Sequence, residues 1–290
     1  MTPEEILEKE GIRDYEKDIR RMSARELTEN FSATSSGRPM AALIIKNLIW
    51  QSYTGILSGK TPPFEGNLRS YWYYIKPVLA RIKLTEDFDH YQTMLKAFVE
   101  LVGDYKLFGY MDFGFDDDSW ENRRIGVKNV QVIVFAEKVG WMRTLKEIHQ
   151  TYDVTVIALG GAPSLLTTEY TVAHIRKATS LRQPFYLLSA VDYDPAGYSI
   201  ARSFGEQLAT QGIEQYELTD LILPAHYTPE EIELFKFPIP ARQKTRLEKW
   251  LKATGGIHGE PYGLEGDSMP RDRYKALLKA ALAGLGVRPT

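Results

Sequence analysis

Two aspartates, Asp192 and Asp194, follow directly on an apolar run, Phe185 to Val191, and precede Pro195, Gly197 and a helical pattern that opens at Tyr198. Read as a buried strand, that run sets both carboxylates at its carboxyl end, where open α/β sheets hold their ligands. Residues two apart in an extended chain point to the same side. Paired carboxylates repel unless a cation lies between them. Mg2+ suits the position, because it takes hard oxygens from one or two carboxylates and completes its shell with water and phosphate. The competing reading is local: Asp is favoured at a helix N-cap and in the first turn, where it answers the helix dipole. A third acid, Glu137, ends another apolar run within Asn129 to Lys138. Acids at the ends of two different strands can converge on one metal.

A second constellation lies in Asn67 to Leu84, NLRSYWYYIKPVLARIKL. Arg69 and Tyr73 are four apart and share a face if the stretch is helical. A phenol ordinarily ionises near pH ~10, and a neighbouring cation favours the phenolate, so Tyr73 is a candidate nucleophile with Arg69 beside it. Pro77 clashes with the carbonyl of residue 73 in a regular helix, so the chain is expected to bend or stop there and expose Tyr73. Tyr74 is the competing register. The alternative for all of Tyr71 to Tyr74 is a cluster of core aromatics.

The elements that position these residues follow from periodicity. From Asn129 onward the order is strand and Glu137, helix (about 139–150), strand Val154 to Leu159 closed by Gly160-Gly161-Ala162-Pro163, helix to about Lys177, strand and Asp192-Tyr193-Asp194, helix (about 196–211). That is repeated βα with buried parallel strands. A further strand is expected over Leu218 to Ala225, a capped helix from Thr228-Pro229 with Glu231 at its third position, an extended insert Lys236 to Arg242, and helices over Arg246 to Ala253 and Arg271 to Leu285. In the first half, residues 1–30 are charged with helical spacing and 30–37 form a polar link. Amphipathic helices are expected over Arg38 to Gly59 and Glu86 to Val102, and a short β-ribbon from Leu107 to Phe115 before Asp116-Asp117-Asp118. Gly55 to Thr61 imitates a phosphate-binding loop, but three residues separate its glycines instead of four, and a helix precedes it; it reads as a helix C-terminus and turn.

The three pieces around Glu137, Gly160-Gly161 and Asp192/Asp194, in that order, resemble the Toprim fold, and most closely that of the topoisomerase VI A subunits and the related meiotic double-strand-break proteins. There the pieces read like VEKDAAF, GKGQPD and DADPYG; here they are Ala136-Glu137-Lys138, Gly160-Gly161-Ala162-Pro163 and Asp192-Tyr193-Asp194-Pro195-Ala196-Gly197. Arg69 to Tyr73 matches that family's T-x-R-x-x-[FY]-Y pattern, with Asn67 in place of the threonine, and Glu265 resembles a structural glutamate of the family. The resemblance implies an α/β Toprim domain with a mostly parallel sheet (123–290), preceded by a mainly helical, winged-helix (CAP-like) domain (38–122) and a charged N-terminal helical arm (1–37). It implies Tyr73 and Arg69 as catalytic residues and Glu137, Asp192 and Asp194 as ligands to Mg2+ or Mn2+. It further implies double-stranded DNA as substrate, a 5′ tyrosyl linkage, a homodimer in which one copy's tyrosine meets its partner's metal, and a separate B-type ATPase subunit as a partner. Two alternatives stay open: a Toprim nuclease that uses water, and a non-catalytic Toprim DNA-binding protein.

Composition narrows the class. The 290 residues are 43% hydrophobic and 26% charged, ordinary for a globular protein of two domains. There is no cysteine, hence neither disulfide nor thiolate metal site. From the charged start no secretory leader is expected, no apolar run reaches the ~20 residues of a membrane helix, and a cytoplasmic place with DNA is expected. The five histidines have no zinc-site spacing. Net charge is −2, but it is unevenly distributed: Arg38 to Leu84 carries seven bases against one acid, Glu86 to Asn122 ten acids against two bases. The basic stretch around Tyr73 is the expected DNA face.

Overall fold

The computed structural model describes residues 1–32, 39–84, 89–240 and 244–290. The polar link at 33–37, Arg38, the first residues of the helix expected from Glu86, and the end of the insert at Arg242 lie outside the described residues. The chain divides into two compact units, Met1–Asp118 and Ser119–Thr290.

The first unit is helical. α1 (Pro3–Glu10) and α2 (Ala24–Phe31) each begin with a capping box, Thr2 with Glu5 and Ser23 with Glu26. α3 (Met40–Leu57) is the central helix, followed by α4 (Leu68–Ala80), α5 (Asp89–Phe98) with a π-helical extension Val99–Asp104, and α6 (Tyr110–Phe113). The N-terminal segment is held on α3 by polar side chains. Asn47 accepts from the Arg13 N–H (2.9 Å) and donates to the Gly11 carbonyl (3.0 Å), and Gln51 accepts from the Ile19 N–H (2.8 Å). Lys46 Nζ, buried, bonds Glu10 Oε2 at 2.5 Å and also meets Glu100, while the Tyr105 hydroxyl donates to Glu10 Oε1 (2.6 Å).

Two expectations fail in this unit. The β-ribbon from Leu107 is instead the short helix α6, and among the described residues the unit contains no strand, only an isolated bridge between Gly66 and Phe115. The Gly109 N–H donates to Asp112 Oδ2 (2.7 Å), which starts a helical turn, and Gly114 closes it at φ +80°. Phe113 and Phe115 then stack with ring centroids 5.3 Å apart in one aromatic core with Phe98 and Tyr71. Alternating apolar residues had two ways to be buried, and this core took the helical one. The second is the stop at Pro77: α4 runs through it to Ala80, with Val78 and Leu79 buried in the last turn. Gly55 to Thr61 is the helix end and turn expected, with the Lys60 and Thr61 N–H groups both donating to the Gly55 carbonyl.

The second unit is α/β. A two-residue strand β1 (Arg123–Arg124) precedes β2 (Asn129–Ala136), α7 (Met142–Tyr152), β3 (Val154–Ala158), α8 (Leu165–Ala178), β4 (Phe185–Ala190), α9 (Pro195–Thr210) and β5 (Tyr216–Asp220). The sheet order is β1-β3-β2-β4-β5, antiparallel only between β1 and β3 and parallel elsewhere. The strands alternate across two cores, as the two-residue period requires. Val132, Val134 and Ala136 face one layer with α7; Ile133 and Phe135 face the other with α8 and α9. The fourth expected strand is displaced: the paired residues are Tyr216–Asp220, while Leu221 and Ile222, the apolar part of the run, are buried beyond the strand. β5 is an edge strand, so it alternates half-buried and exposed and lacks the continuous apolar signature of its neighbours.

The remainder covers the first of those layers. It comprises α10 (Pro229–Phe235), capped by Thr228 and Glu231, β6 (Phe237–Pro238), α11 (Lys244–Thr254), β7 (Tyr262–Gly263) paired antiparallel with β6, and α12 (Arg271–Gly284). Trp250 of α11 and Tyr274, Leu278 and Leu282 of α12 are buried there.

Candidate active site

The parallel register sets Ala136 beside Ala190, so β2 and β4 end side by side. Glu137 is the first residue past β2, and Asp192 and Asp194 lie just past β4. The backbone N–H of Asp192 favours the charged Glu137 carboxylate, but by less than burial and the two aspartates oppose it. Gly160 and Gly161, both at positive φ (70° and 115°), turn the chain after β3, and the Gly161 N–H donates to the Glu137 carbonyl (3.0 Å).

Tyr193 points into the core against Trp250, its hydroxyl donating to the Gly256 carbonyl (2.9 Å), while its backbone pairs with Leu264 in both directions (2.9 and 3.0 Å). This bridge brings the segment 264–267 alongside the aspartates, and the Gly266 N–H donates to Asp192 Oδ1 (2.8 Å). Asp194 is the N-cap of α9: its Oδ1 accepts from the Gly197 N–H at 2.7 Å. Gly197 admits no side chain, since a Cβ there would lie 2.2 Å from the Asp192 carbonyl oxygen.

Electrostatically the cluster is short of positive charge. Glu137 is pushed above the usual carboxylate range by burial and then by repulsion from Asp192 and Asp194, and its Oε2 is buried with no hydrogen-bond partner. Burial likewise raises Asp192 and Asp194, each further opposed by Glu265. Among the described residues, one cation is bonded to the cluster. Lys138 Nζ lies 3.1 Å from Asp192 Oδ2, 2.5 Å from Glu265 Oε2 and 3.4 Å from Asp267 Oδ2. Burial by itself lowers the Lys138 ammonium, but its bonds to Glu265 and Asp192 outweigh that and hold it above the ordinary lysine range. Both members of the Lys138–Asp192 pair thus shift upward: the ammonium is secure, while Asp192 loses more to burial than one shared ammonium restores.

The donor set is all hard oxygen, and the orphaned Glu137 Oε2 is an acceptor awaiting a partner, so the residues fit a Mg2+ or Mn2+ ion in kind. The oxygens are not yet closed on one point: among the described residues, no group of three or more histidine or acidic side chains is arranged to hold a metal. The reason is visible in their partners, since Asp192 is drawn to Lys138 and Gly266, and Asp194 to its helix cap. Beside the aspartates opens a cavity of about 270 Å3, lined by Tyr198, Arg202, Asp220 and Trp250 among others, in which Arg202 bonds Asp220 Oδ2 at 2.7 Å.

The candidate nucleophile lies in the first unit. Asn67, the residue that departs from the family pattern, is the N-cap of α4, accepting from the Ser70 N–H (2.9 Å). The four aromatics that follow separate cleanly. Tyr71 and Trp72 are core; Tyr74 is partly covered by the Arg20 guanidinium, 4.8 Å from its ring; Tyr73 is the most open at 57% exposure. Arg69 is exposed on the same face and, among the described residues, has no acid partner. Lys76, one turn on from Tyr73, completes an Arg69–Tyr73–Lys76 stripe on a helix without a single acid. The basic stretch as a whole is not a surface: Lys46 is buried against Glu10, and Arg81 is bound to the carbonyls of Arg20 and Met22.

Lys138 and Lys76 carried no role in the sequence reading. Lys76 was legible as i+3 from Tyr73. Lys138 follows Glu137 directly, but its partner Glu265 is 127 residues away. No model of a known protein family and no curated protein matches the chain. No described helix is long and apolar enough to cross a membrane.

Proposed function

We propose that the chain is a divalent-metal-dependent DNA-cleaving transesterase of the Toprim type, with Tyr73 as nucleophile. The observation that carries this reading is the gathering of Glu137, Asp192 and Asp194 at the ends of adjacent parallel strands, where burial and mutual repulsion leave them wanting a cation. Supporting it, Tyr73 is the open tyrosine of its run and stands between two bases on an acid-free face.

In this reading Arg69 and Lys76 hold the non-bridging oxygens of a DNA phosphate against α4. The Tyr73 oxygen attacks phosphorus. The bond formed is tyrosyl O–P on the 5′ side, and the bond broken is P–O3′. The phenolic proton passes to solvent and the departing 3′ oxygen takes one up, so the step is isoenergetic in kind and reversible. Glu137, Asp192 and Asp194 hold the metal, which when bound screens phosphate charge and steadies the leaving oxygen. A homodimer supplies the two tyrosines that a double-strand break takes, and strand passage calls on a separate ATPase-bearing partner.

The test is to incubate the protein with supercoiled plasmid and Mg2+ or Mn2+, stop with detergent, and divide the sample with and without protease. Linear or nicked DNA that enters a gel only after protease supports the transesterase. Cut DNA that runs free of protein assigns the chemistry to water at the acids. DNA left intact, alone and with an ATPase partner, refutes cleavage.

A further inference from the structure

Lys138 is the one cation bonded to the acid cluster among the described residues, and it reaches the cluster and its exit at once. Of the two oxygens of Asp192, Oδ1 already accepts from the Gly266 N–H (2.8 Å), so Oδ2 is the oxygen open to an added cation, and Oδ2 is the atom that Lys138 holds at 3.1 Å. On its other side the same Nζ is bonded to Glu265 and lies 3.4 Å from Asp267, two carboxylates that are about half exposed. Asp267 is in turn held by Arg271 (2.9 Å), whose guanidinium lies 3.5 Å from the Trp141 ring. Glu265 and Asp267 therefore form a second, outer seat for the ammonium, fixed in place next to Asp192 by the Tyr193–Leu264 bridge. The Lys138 side chain, one-third exposed, can give up Asp192 without leaving Glu265.

We propose that Lys138 is a built-in counter-ion that occupies the metal's place at Asp192 in the metal-free protein and is displaced onto Glu265 and Asp267 when a divalent cation binds. This rests on the metal reading of the acids given above. Two cations cannot share Asp192 Oδ2 without strong repulsion, so metal binding and the Lys138–Asp192 bond exclude each other. The consequence is twofold. The acids stay folded without metal, because an ammonium stands among them, and metal affinity is held below what the carboxylates alone would give.

The experiment is Mn2+ titration by calorimetry on wild type, Lys138→Met and Arg202→Met, with thermal melts of each in EDTA. Arg202 is a cation of the adjacent cavity that does not touch Asp192 Oδ2, so it controls for general charge removal. Lys138→Met is expected to bind Mn2+ about tenfold tighter or more, a change of about 1.4 kcal/mol, to melt lower than wild type in EDTA, and to regain stability with Mn2+. Arg202→Met is expected to bind Mn2+ much as wild type does. Should Lys138→Met fold poorly, the double variant Glu265→Gln/Asp267→Asn, altered at exposed positions, gives the opposite sign: the ammonium loses its outer seat and Mn2+ binds more weakly than in wild type. Equal or weaker binding by Lys138→Met, with wild type binding normally, overturns the counter-ion and leaves the metal site standing. No Mn2+ binding by either protein overturns both.

Discussion

Asp194 has two descriptions, and two substitutions separate them. As an N-cap it needs only an acceptor for the Gly197 N–H, which it now bonds at 2.7 Å. As a metal ligand it needs its charge. Asp194→Ala removes both. Loss of an N-cap acceptor costs about 1 kcal/mol, and for a unit of this size that lowers Tm by about 2–4 °C. Asp194→Asn keeps the acceptor and loses the charge. The lost helix-dipole attraction, about 0.3–1 kcal/mol, is opposed by relief from burying a carboxylate that its surroundings already push toward protonation. Melting in EDTA should therefore leave Asn within about 0.5 kcal/mol of wild type and Ala clearly below it. Mn2+ titration should then show both variants deficient, because metal binding follows the charge and not the cap. An Asn variant that binds Mn2+ like wild type would refute Asp194 as a ligand and leave it a cap alone. An Ala variant as stable as wild type would refute the cap.

Three further outcomes are expected. Tyr73→Phe should abolish covalent DNA attachment in the plasmid assay while changing stability by less than about 0.5 kcal/mol, since the residue is exposed; attachment that survives here and disappears in Tyr74→Phe would shift the nucleophile by one. Lys46→Met takes the ammonium from the buried Glu10, which keeps the Tyr105 hydroxyl as a donor, and should cost about 3–5 kcal/mol by urea unfolding, while Lys46→Met/Glu10→Gln recovers a large part of that. Glu137→Gln should raise Tm in EDTA at pH 7. Because the folded protein holds the Glu137 proton more tightly than the unfolded chain, wild type loses stability as pH rises from the ordinary glutamate range through the raised value. The advantage of the variant should thus fade toward pH 4 and reverse when Mn2+ is added at pH 7; a constant offset across pH would show that Glu137 does not titrate with this shift.

The acids were legible because their position depends on short-range pattern. β2, β3 and β4 are continuous apolar runs that stop at Glu137, Gly160-Gly161 and Asp192, and a parallel sheet needs just such runs with helices between them. These three strands each end within one or two residues of the expected place, so the juxtaposition of Glu137 with Asp192 follows once β2 and β4 are neighbours. What pattern cannot supply is the partner of a long, flexible side chain. Lys46 sits in a basic stretch and reads as part of its surface, yet it is buried against an acid 36 residues earlier.

Pro77 shows the same limit in the backbone. The local rule is sound: proline gives no N–H to the carbonyl of Tyr73 and crowds it, at about 3 kcal/mol or more in a helix interior. The rule fixes a cost, not an outcome. Past Pro77, α4 buries Val78 and Leu79 almost completely, and burying two such side chains is worth about 1.5–3 kcal/mol each, enough to carry the helix on to Ala80. The functional consequence survives the corrected geometry, because exposure of Tyr73 does not depend on a break in the helix. Tyr71, Trp72 and Ile75 face the core, so Tyr73 must face away from it. The same turn that buries its neighbours sets Tyr73 between Arg69 and Lys76.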